Sequence, residues 1–357
     1  FKGGMMNLNA IRNKIDCIDS QILELIYERM ELGLRTKGQK LTVTDKEREK
    51  EVLDNIMRFS GGLLPVEFIQ NLYKIIIEES KRLQAGGCLL IGFQGEHGAY
   101  SELAARKYAP DIIPIPCQEF REVFEGIKNK TFDFGIVPAE NSIEGSVNEV
   151  NDLLVASDLA IVGEISLPVN HCLLTLPETD YREIRLVYSH PQALAQCREF
   201  LHRQKLEPRS FYDTAGAAKM LSSLRPGAAA AIASPDCEKF YGLKILKENI
   251  QDEMTNRTRF IVLALEKKVE GGNKGSIIFA LKDEAGALCE LLKIFSDRRI
   301  NLTRIESRPQ KFHPGQYLFL ADFEGSDSEA RVKEALAEVQ QKATFYKFLG
   351  CYPEEER

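Results

Sequence analysis

The chain is poor in histidine, has no paired cysteines, no long apolar run and no excess of positive charge, and each lack removes a class of function. Its eight cysteines (Cys17, Cys88, Cys117, Cys172, Cys197, Cys237, Cys289 and Cys351) form no C-x-x-C pair, and its five histidines form no H-x-x-x-H pattern. Scattered thiols suit a reducing, cytoplasmic setting better than a disulfide framework or a zinc site. No metal is therefore expected. No apolar run reaches the ~18 residues needed to span a bilayer, and the N-terminus shows no signal-peptide pattern. Phe1-Lys2-Gly3-Gly4-Met5 is left out of the fold reasoning. A formal net charge of -6 gives no general attraction to nucleic acid or anionic membrane. Gly92-x-x-Gly95-x-x-Gly98 follows a strand-like run but matches neither G-x-G-x-x-G nor G-x-x-x-x-G-K-[ST], so it gives no fingerprint for a nicotinamide or other nucleotide. What remains is an ordinary globular composition, 44% hydrophobic and 28% charged over 357 residues, with room for two or three domains.

Three segments follow three different patterns. Residues 7–86 read as all-helical: a first helix from about Asn7 to Gln39, a second at about Lys46–Phe59, and a third opened by Pro65 and running to about Gln84. At 1.5 Å per residue the first helix is roughly 50 Å long, too long for so small a domain to cover, which predicts a second chain against it. Residues 88–266 alternate apolar runs with amphipathic helices, an α/β pattern long enough for two lobes around a cleft. The runs are Cys88–Phe93, Ile112–Cys117, Phe132–Glu140, Leu159–Leu167, Ile184–His190, Ala228–Ser234 and Arg259–Leu265. After a polar linker at Lys267–Lys274, residues 273–357 give strand, helix, strand, strand, helix, strand, which is the α+β ferredoxin-like order.

The chemistry of the first segment begins with one misplaced cation. Leu8, Ile11, Ile15, Ile18, Ile22 and Leu25 recur at steps of three and four, an apolar seam along one helix. The next seam position is Arg29 and the one after it is Leu32. A guanidinium buried without a partner costs several kcal/mol, so something anionic should meet it. A structural salt bridge would serve equally well if Arg29 stood alone. It has company in Arg12, Lys40 and Arg48, in Asp45 and Glu49 near the start of the second helix, and in Ser80 and Gln84, one turn apart on the core-facing stripe of the third. This set resembles the all-helical chorismate mutase family, over all of residues 7–84. The resemblance implies an intertwined dimer in which Arg12 reaches into the partner's site. It further implies that Arg12, Arg29 and Arg48 hold two carboxylates, with Ser80 also on the substrate. Lys40 and Gln84 would then act catalytically, donating to the ether oxygen, and Asp45 and Glu49 would take the ring hydroxyl. Such a pericyclic rearrangement needs no nucleophile, only a held conformer and stabilised charge.

In the second segment polar clusters follow apolar runs directly, where strand ends and helix N-termini offer anion sites. Glu140-Asn141-Ser142, Ser189-His190-Pro191-Gln192, Asp213-Thr214-Ala215 and Thr258-Arg259-Phe260 stand at such ends. Singly, each reads as well as a helix cap or strand end. In this order, together with Gly92-Phe93-Gln94-Gly95, they resemble prephenate dehydratase, whose fold is two lobes similar to periplasmic binding proteins. The resemblance makes Thr258 the catalytic threonine, assisting departure of the ring hydroxyl. Glu140, Asn141, Ser142, Ser189, Gln196, Thr214, Arg259 and Phe260 would position prephenate. In the third segment Gly286-Ala287-Leu288 and Glu306-Ser307-Arg308-Pro309 are a turn and a strand end that resemble the ACT regulatory domain, which implies an L-phenylalanine site between paired domains and feedback inhibition.

The expectation is a cytoplasmic enzyme of phenylalanine biosynthesis, a homodimer or higher homo-oligomer, taking chorismate through prephenate to phenylpyruvate, two reactions that need no cofactor. It should bind neither nucleic acid nor membrane. The alternative from another class is a non-catalytic sensor whose two-lobed segment holds a small anion while the helices only dimerise.

Overall fold

The computed structural model describes residues 8–36, 44–59, 62–266, 272–309 and 317–355. Three helices come first: α1 (Leu8–Arg35), α2 (Lys46–Phe59) and α3 (Val66–Ala85). The seam predicted from the periodicity lies on α1, yet Leu8, Ile11, Ile15, Ile18, Ile22 and Leu25 are between 42% and 63% exposed. Only the C-terminal part of α1 is well covered. There Leu34 is buried, and α1 packs on the face of α3 that carries Ile77, Ser80 and Gln84.

The α/β segment is built on two sheets. The first lobe contains β1 (Leu90–Gln94), α4 (Tyr100–Tyr108), β2 (Ile113–Cys117), α5 (Phe120–Lys128), β3 (Phe134–Asn141), β4 (Gly145–Ser146), α6 (Asn148–Ala156) and β5 (Ala160–Pro168). The chain then crosses to the second lobe: β6 (Cys172–Thr175), β7 (Leu186–Ser189), α7 (Pro191–Gln196), α8 (Arg198–Gln204), β8 (Glu207–Ser210), α9 (Thr214–Leu224), β9 (Ala229–Ala233), α10 (Cys237–Tyr241) and β10 (Lys244–Lys247). It returns as β11 (Arg257–Ala264), which inserts antiparallel between β3 and β5. The sheet orders are β2-β1-β3-β11-β5 and β10-β6-β9-β7-β8.

The two crossings are stitched together. The Val169 N–H donates to the Asn256 carbonyl at 2.9 Å, and the Ile250 N–H donates to the His171 carbonyl at 3.0 Å. The His171 N–H donates to Gln251 Oε1 at 2.9 Å.

The third segment is β12 (Lys274–Ala280), α11 (Ala287–Asp297), β13 (Leu302–Pro309), β14 (Tyr317–Glu324), α12 (Ala330–Lys342) and β15 (Phe345–Tyr352). Its antiparallel sheet runs β13-β14-β12-β15, which is the ferredoxin-like arrangement expected. Every apolar run singled out in the sequence overlaps a strand. β4, β6, β8 and β10 were not among those runs. β8 is exposed along its whole length at the sheet edge, so it shows no apolar signal.

Both junctions between segments are packed. Leu34 joins the apolar cluster that contains Phe124 and Phe132, and the Arg35 guanidinium lies 5.7 Å from the centre of the Phe132 ring while pairing with Glu122. On the other side β15 lies against β5, where a Cβ on Gly350 would stand 2.4 Å from the Ile161 carbonyl oxygen. With its φ of 137° as well, glycine alone suits that position. Among the described residues no helix is long and apolar enough to cross a membrane.

Candidate functional site

Two clusters of polar side chains stand out, one in each of the first two segments. In the helical one, Ser80 and Gln84 are buried on α3, and the Gln84 amide nitrogen lies 3.2 Å from Ser80 Oγ. Gly33 of α1 faces them. A Cβ there would come within 2.7 Å of Ser80 Oγ and 3.2 Å of Gln84 Nε2, so the missing side chain is what lets the helices meet at this pair. Arg29 lies one turn before Gly33, half-buried, with no hydrogen bond or ion pair to any described residue. A half-buried cation without a partner awaits an anion or another chain.

Of the other cations expected there, the two described ones, Arg12 and Arg48, are exposed and neither bonds Ser80 or Gln84. Arg12 is exposed and lies 17 residues earlier on the same helix, about 26 Å away at 1.5 Å per residue. Arg48 is exposed and pairs with Glu51 at 3.0 Å. Asp45 caps α2, its Oδ1 accepting the Arg48 N–H at 3.0 Å. Glu49 pairs at 3.1 Å with Lys81 of α3, a residue that the sequence reading did not single out. Lys40 lies outside the described residues.

The second cluster is built at the point where β3, β11 and the two crossings converge. Thr258 stands directly opposite Asn141 in the β3–β11 ladder. Asn141 Oδ1 accepts the backbone N–H groups of Ile143 (3.0 Å) and Glu144 (3.2 Å). Those groups only donate, so the Asn141 amide nitrogen must face the other way. There it donates to Asn256 Oδ1 at 2.8 Å and to Thr258 Oγ1 at 3.0 Å. With its oxygen accepting, the Thr258 hydroxyl keeps its proton for something else.

Asn256 Nδ2 in turn donates to Gln196 Oε1 at 3.2 Å, and Gln196 Nε2 donates to the Glu144 carboxylate at 3.1 Å. His171 Nε2 lies 2.9 Å from the same Gln196 oxygen. Burial holds the His171 pKa below its ordinary value, against the opposing hydrogen bond to Gln196. Nearby, Ser189 at the end of β7 is fully buried and donates to the Ile232 carbonyl at 2.6 Å. Ser142 Oγ accepts the Arg257 N–H at 2.9 Å. Thr214 opens α9, whose cap Asp213 accepts the Gly216 N–H at 2.8 Å. Asn256 and His171 were missed from sequence, because single residues in irregular crossings have no periodicity to mark them.

Three expected cleft residues are placed elsewhere. Successive strand residues face opposite sides, so Arg259 turns away from Thr258. It pairs at 2.6 Å with Glu164 of β5 and at 2.6 Å with Asp322 of β14, and donates to the Tyr352 hydroxyl at 2.9 Å. Glu140, the neighbour of Asn141, likewise turns towards the third segment, 4.0 Å from Arg304. Phe260 lies on the Thr258 side but is only 2% exposed, within the core behind the cluster. In the third segment Glu306 and Arg308 are also engaged with the α/β segment. Glu306 bonds Ser146 and, at 3.3 Å, Asn151; Arg308 bonds Asn148 at 2.7 Å and pairs with Asp152 at 2.9 Å. Ser307, Pro309 and Gly286 are exposed, and Ala287 and Leu288 half-buried.

A further polar group joins the helical segment to the α/β segment. His97, in the loop after β1, sits between Glu31 of α1 (2.7 Å) and buried Glu102 of α4 (3.3 Å). Burial alone would lower its pKa, but hydrogen bonds to the two carboxylates outweigh it and push it up to about 9.

Comparison with known proteins follows the same three-part division. The chorismate mutase type II profile matches residues 11–85, the prephenate dehydratase profile residues 91–268 and the ACT domain profile residues 275–340. A bifunctional chorismate mutase/prephenate dehydratase of Aquifex aeolicus is 38% identical over 364 residues, 98% of either chain. The structure of a prephenate dehydratase from Arthrobacter aurescens in complex with L-Phe matches with a TM-score of 0.68 at 31% identity, over 74% of this chain and 90% of that one. A protein titled GqqA, a novel type of quorum quenching acylase, matches with a TM-score of 0.70 at 32% identity, over 74% of this chain and 98% of its own.

Proposed function

The chain belongs to the bifunctional chorismate mutase/prephenate dehydratases with a C-terminal ACT domain, and we propose how its residues divide the two reactions. It rearranges chorismate to prephenate and converts prephenate to phenylpyruvate, which sets aside the reading as a non-catalytic anion sensor.

The mutase site forms around Arg29, Ser80 and Gln84, with Lys40, Asp45, Arg48 and Glu49 closing over it and Arg12 supplied by a second copy of the chain. Two observations support this. Arg29 has no anion of its own among the described residues, and α1 carries an apolar stripe that its own chain leaves in water. The distance along α1 keeps Arg12 from reaching Arg29 within one chain. The assembly is therefore at least a homodimer. Gln84 donates at any pH, so the rearrangement should persist at neutral pH.

The dehydratase site forms at Thr258. The observation that carries this reading is the fixed Asn141 amide, which occupies the Thr258 oxygen and leaves the hydroxyl proton to meet the departing ring hydroxyl. Hydrogen-bond donation of this kind assists loss of the hydroxyl while carbon dioxide leaves and the ring becomes aromatic. Asn141, Ser142, Ser189, Gln196 and Thr214 hold the substrate. Glu140, Arg259 and Phe260 shape the site from behind. L-phenylalanine binds where Gly286–Leu288 of one ACT domain meets Glu306–Pro309 of another and inhibits by shifting populations. The reactions take place in the cytoplasm.

The test is direct. The purified chain is given chorismate, and phenylpyruvate is read by its absorbance in alkali, with and without L-phenylalanine. Phenylpyruvate should form without added cofactor and should fall as L-phenylalanine rises. Prephenate as the final product would remove the dehydratase reading, and indifference to L-phenylalanine would remove the ACT reading alone.

A further inference from the structure

The amides around Thr258 form a chain of hydrogen bonds whose direction is fixed at every link. The backbone N–H groups of Ile143 and Glu144 fix Asn141, and Asn141 fixes Asn256 with its oxygen towards Asn141 and its nitrogen towards Gln196. The Glu144 carboxylate can only accept, so it fixes Gln196 with its nitrogen outward and its oxygen inward. His171 Nε2 faces that oxygen at 2.9 Å and must therefore carry the proton. His171 is 2% exposed and Asn256 is 1% exposed, so neither has water as an alternative partner. On the far side of the ring, Nδ1 lies 3.4 Å from the Tyr100 hydroxyl, which itself donates to the Asn170 carbonyl.

The chain also spans both lobes of the fold. Asn141 and Thr258 belong to the first lobe and Gln196 to the second. His171 and Asn256 lie in the two crossings between the lobes.

We propose that His171 is a positioning residue of the dehydratase reaction: from the interlobe crossing its Nε2–H locks the Gln196 oxygen, and through Asn256 and Asn141 it directs the Thr258 hydroxyl proton at the substrate. This rests on the assignment of Thr258 as the group that meets the leaving hydroxyl. His171 touches no reacting atom. Without its donor the Gln196 oxygen is held by Asn256 alone, the Gln196–Asn256 end of the chain loosens, and the Asn141 amide, still oriented by the Ile143 and Glu144 N–H groups, holds the Thr258 oxygen less steadily. Because Gln196 belongs to the second lobe and Thr258 to the first, the chain of bonds ties the aim of the proton to how the two lobes meet.

The experiment compares His171→Leu with His171→Gln in the full chain, reading dehydratase kcat and KM from added prephenate and mutase rate from added chorismate. His171→Leu should lower dehydratase kcat about tenfold or more with KM within about twofold, the split expected when only transition-state interactions are lost. His171→Gln keeps an N–H near the same place and should recover most of that loss. The mutase rate should not change in either variant. An unchanged kcat in His171→Leu, a rise in KM at constant kcat, or a Gln variant no better than the Leu variant each overturns the proposal. Should His171→Leu fail to fold, Asn256→Ser breaks the same chain and must show the same kcat loss at constant KM. Thr258→Ala separates the two levels. If it retains turnover, the assignment of Thr258 is wrong; if it is inactive while His171→Leu is normal, Thr258 stands and the role of His171 falls.

Discussion

The helical segment and the α/β segment meet the same problem, a buried polar site, in opposite ways. Around Thr258 every amide has its partner within one chain, and the cluster lies between two covered sheets. Around Arg29 the cation is unpaired among the described residues, Arg12 and Arg48 are exposed, and the apolar stripe beside them faces water. The difference is one of completeness. The amide network at Thr258 is finished within one chain, whereas the polar set around Arg29 is unfinished among the described residues, which is what the proposed second copy and the substrate would complete. A finished hydrogen-bond network orients one proton; an unfinished cationic pocket binds a dianion strongly because nothing else neutralises it.

Single substitutions should separate the two. The largest effect is expected from Thr258→Ala, which should cut phenylpyruvate formation by about a hundredfold or more while the mutase rate holds, so that prephenate accumulates. Arg29→Ala should do the reverse, lowering the mutase rate by about a hundredfold with no change in turnover of added prephenate. If either substitution depressed both rates, the separation would be lost. Ile22→Glu places a charge in the exposed stripe of α1. At micromolar chain it should shift the mass seen by light scattering towards the monomer and take mutase activity down about tenfold, since about 1.4 kcal/mol of association is enough. Unchanged mutase activity in a demonstrated monomer would show that one chain suffices.

Gly33→Ala is subtler. Its Cβ meets Ser80 Oγ at 2.7 Å and should cost about 1–3 kcal/mol, seen as a lower melting temperature and a slower mutase, with dehydratase nearly unaffected. The smallest effect belongs to His97. Its pKa is raised to about 9, so the charged pairing with Glu31 and Glu102 is fully present below about pH 6.5 and is lost as pH rises through about 9. Thermal unfolding between those pH values should show the loss, and His97→Asn should flatten it.

Much of this architecture is legible in the sequence. Seven apolar runs mark seven strands, and the strand–helix order of the last segment is enough to give its topology. The strands that were missed are four residues or fewer, too short for a periodic signal, and β8 is exposed as well, with no aliphatic residue to betray it. The site was less legible, for two physical reasons. Period two says that Thr258 and Arg259, or Asn141 and Glu140, face opposite ways, but it does not say that the second face meets a third domain. Only the sheet of β12–β15 against β5 and β11 explains why Arg259 and Glu140 leave the cleft. Second, His171 and Asn256 act from chain crossings, where position depends on how two lobes meet and not on local spacing.

The exposed stripe on α1 also bears on how the protein is made. α1 leaves the ribosome before β1, and the groups that dock its C-terminal end, His97, Glu122 and Phe132, are synthesised some sixty to a hundred residues after it. Until then the nascent helices lack their dehydratase floor and present a long apolar face to the cell. Fragments ending near Gly87 should therefore be harder to keep in solution than the whole chain, and chains finishing synthesis side by side on one message should pair more readily than chains mixed afterwards.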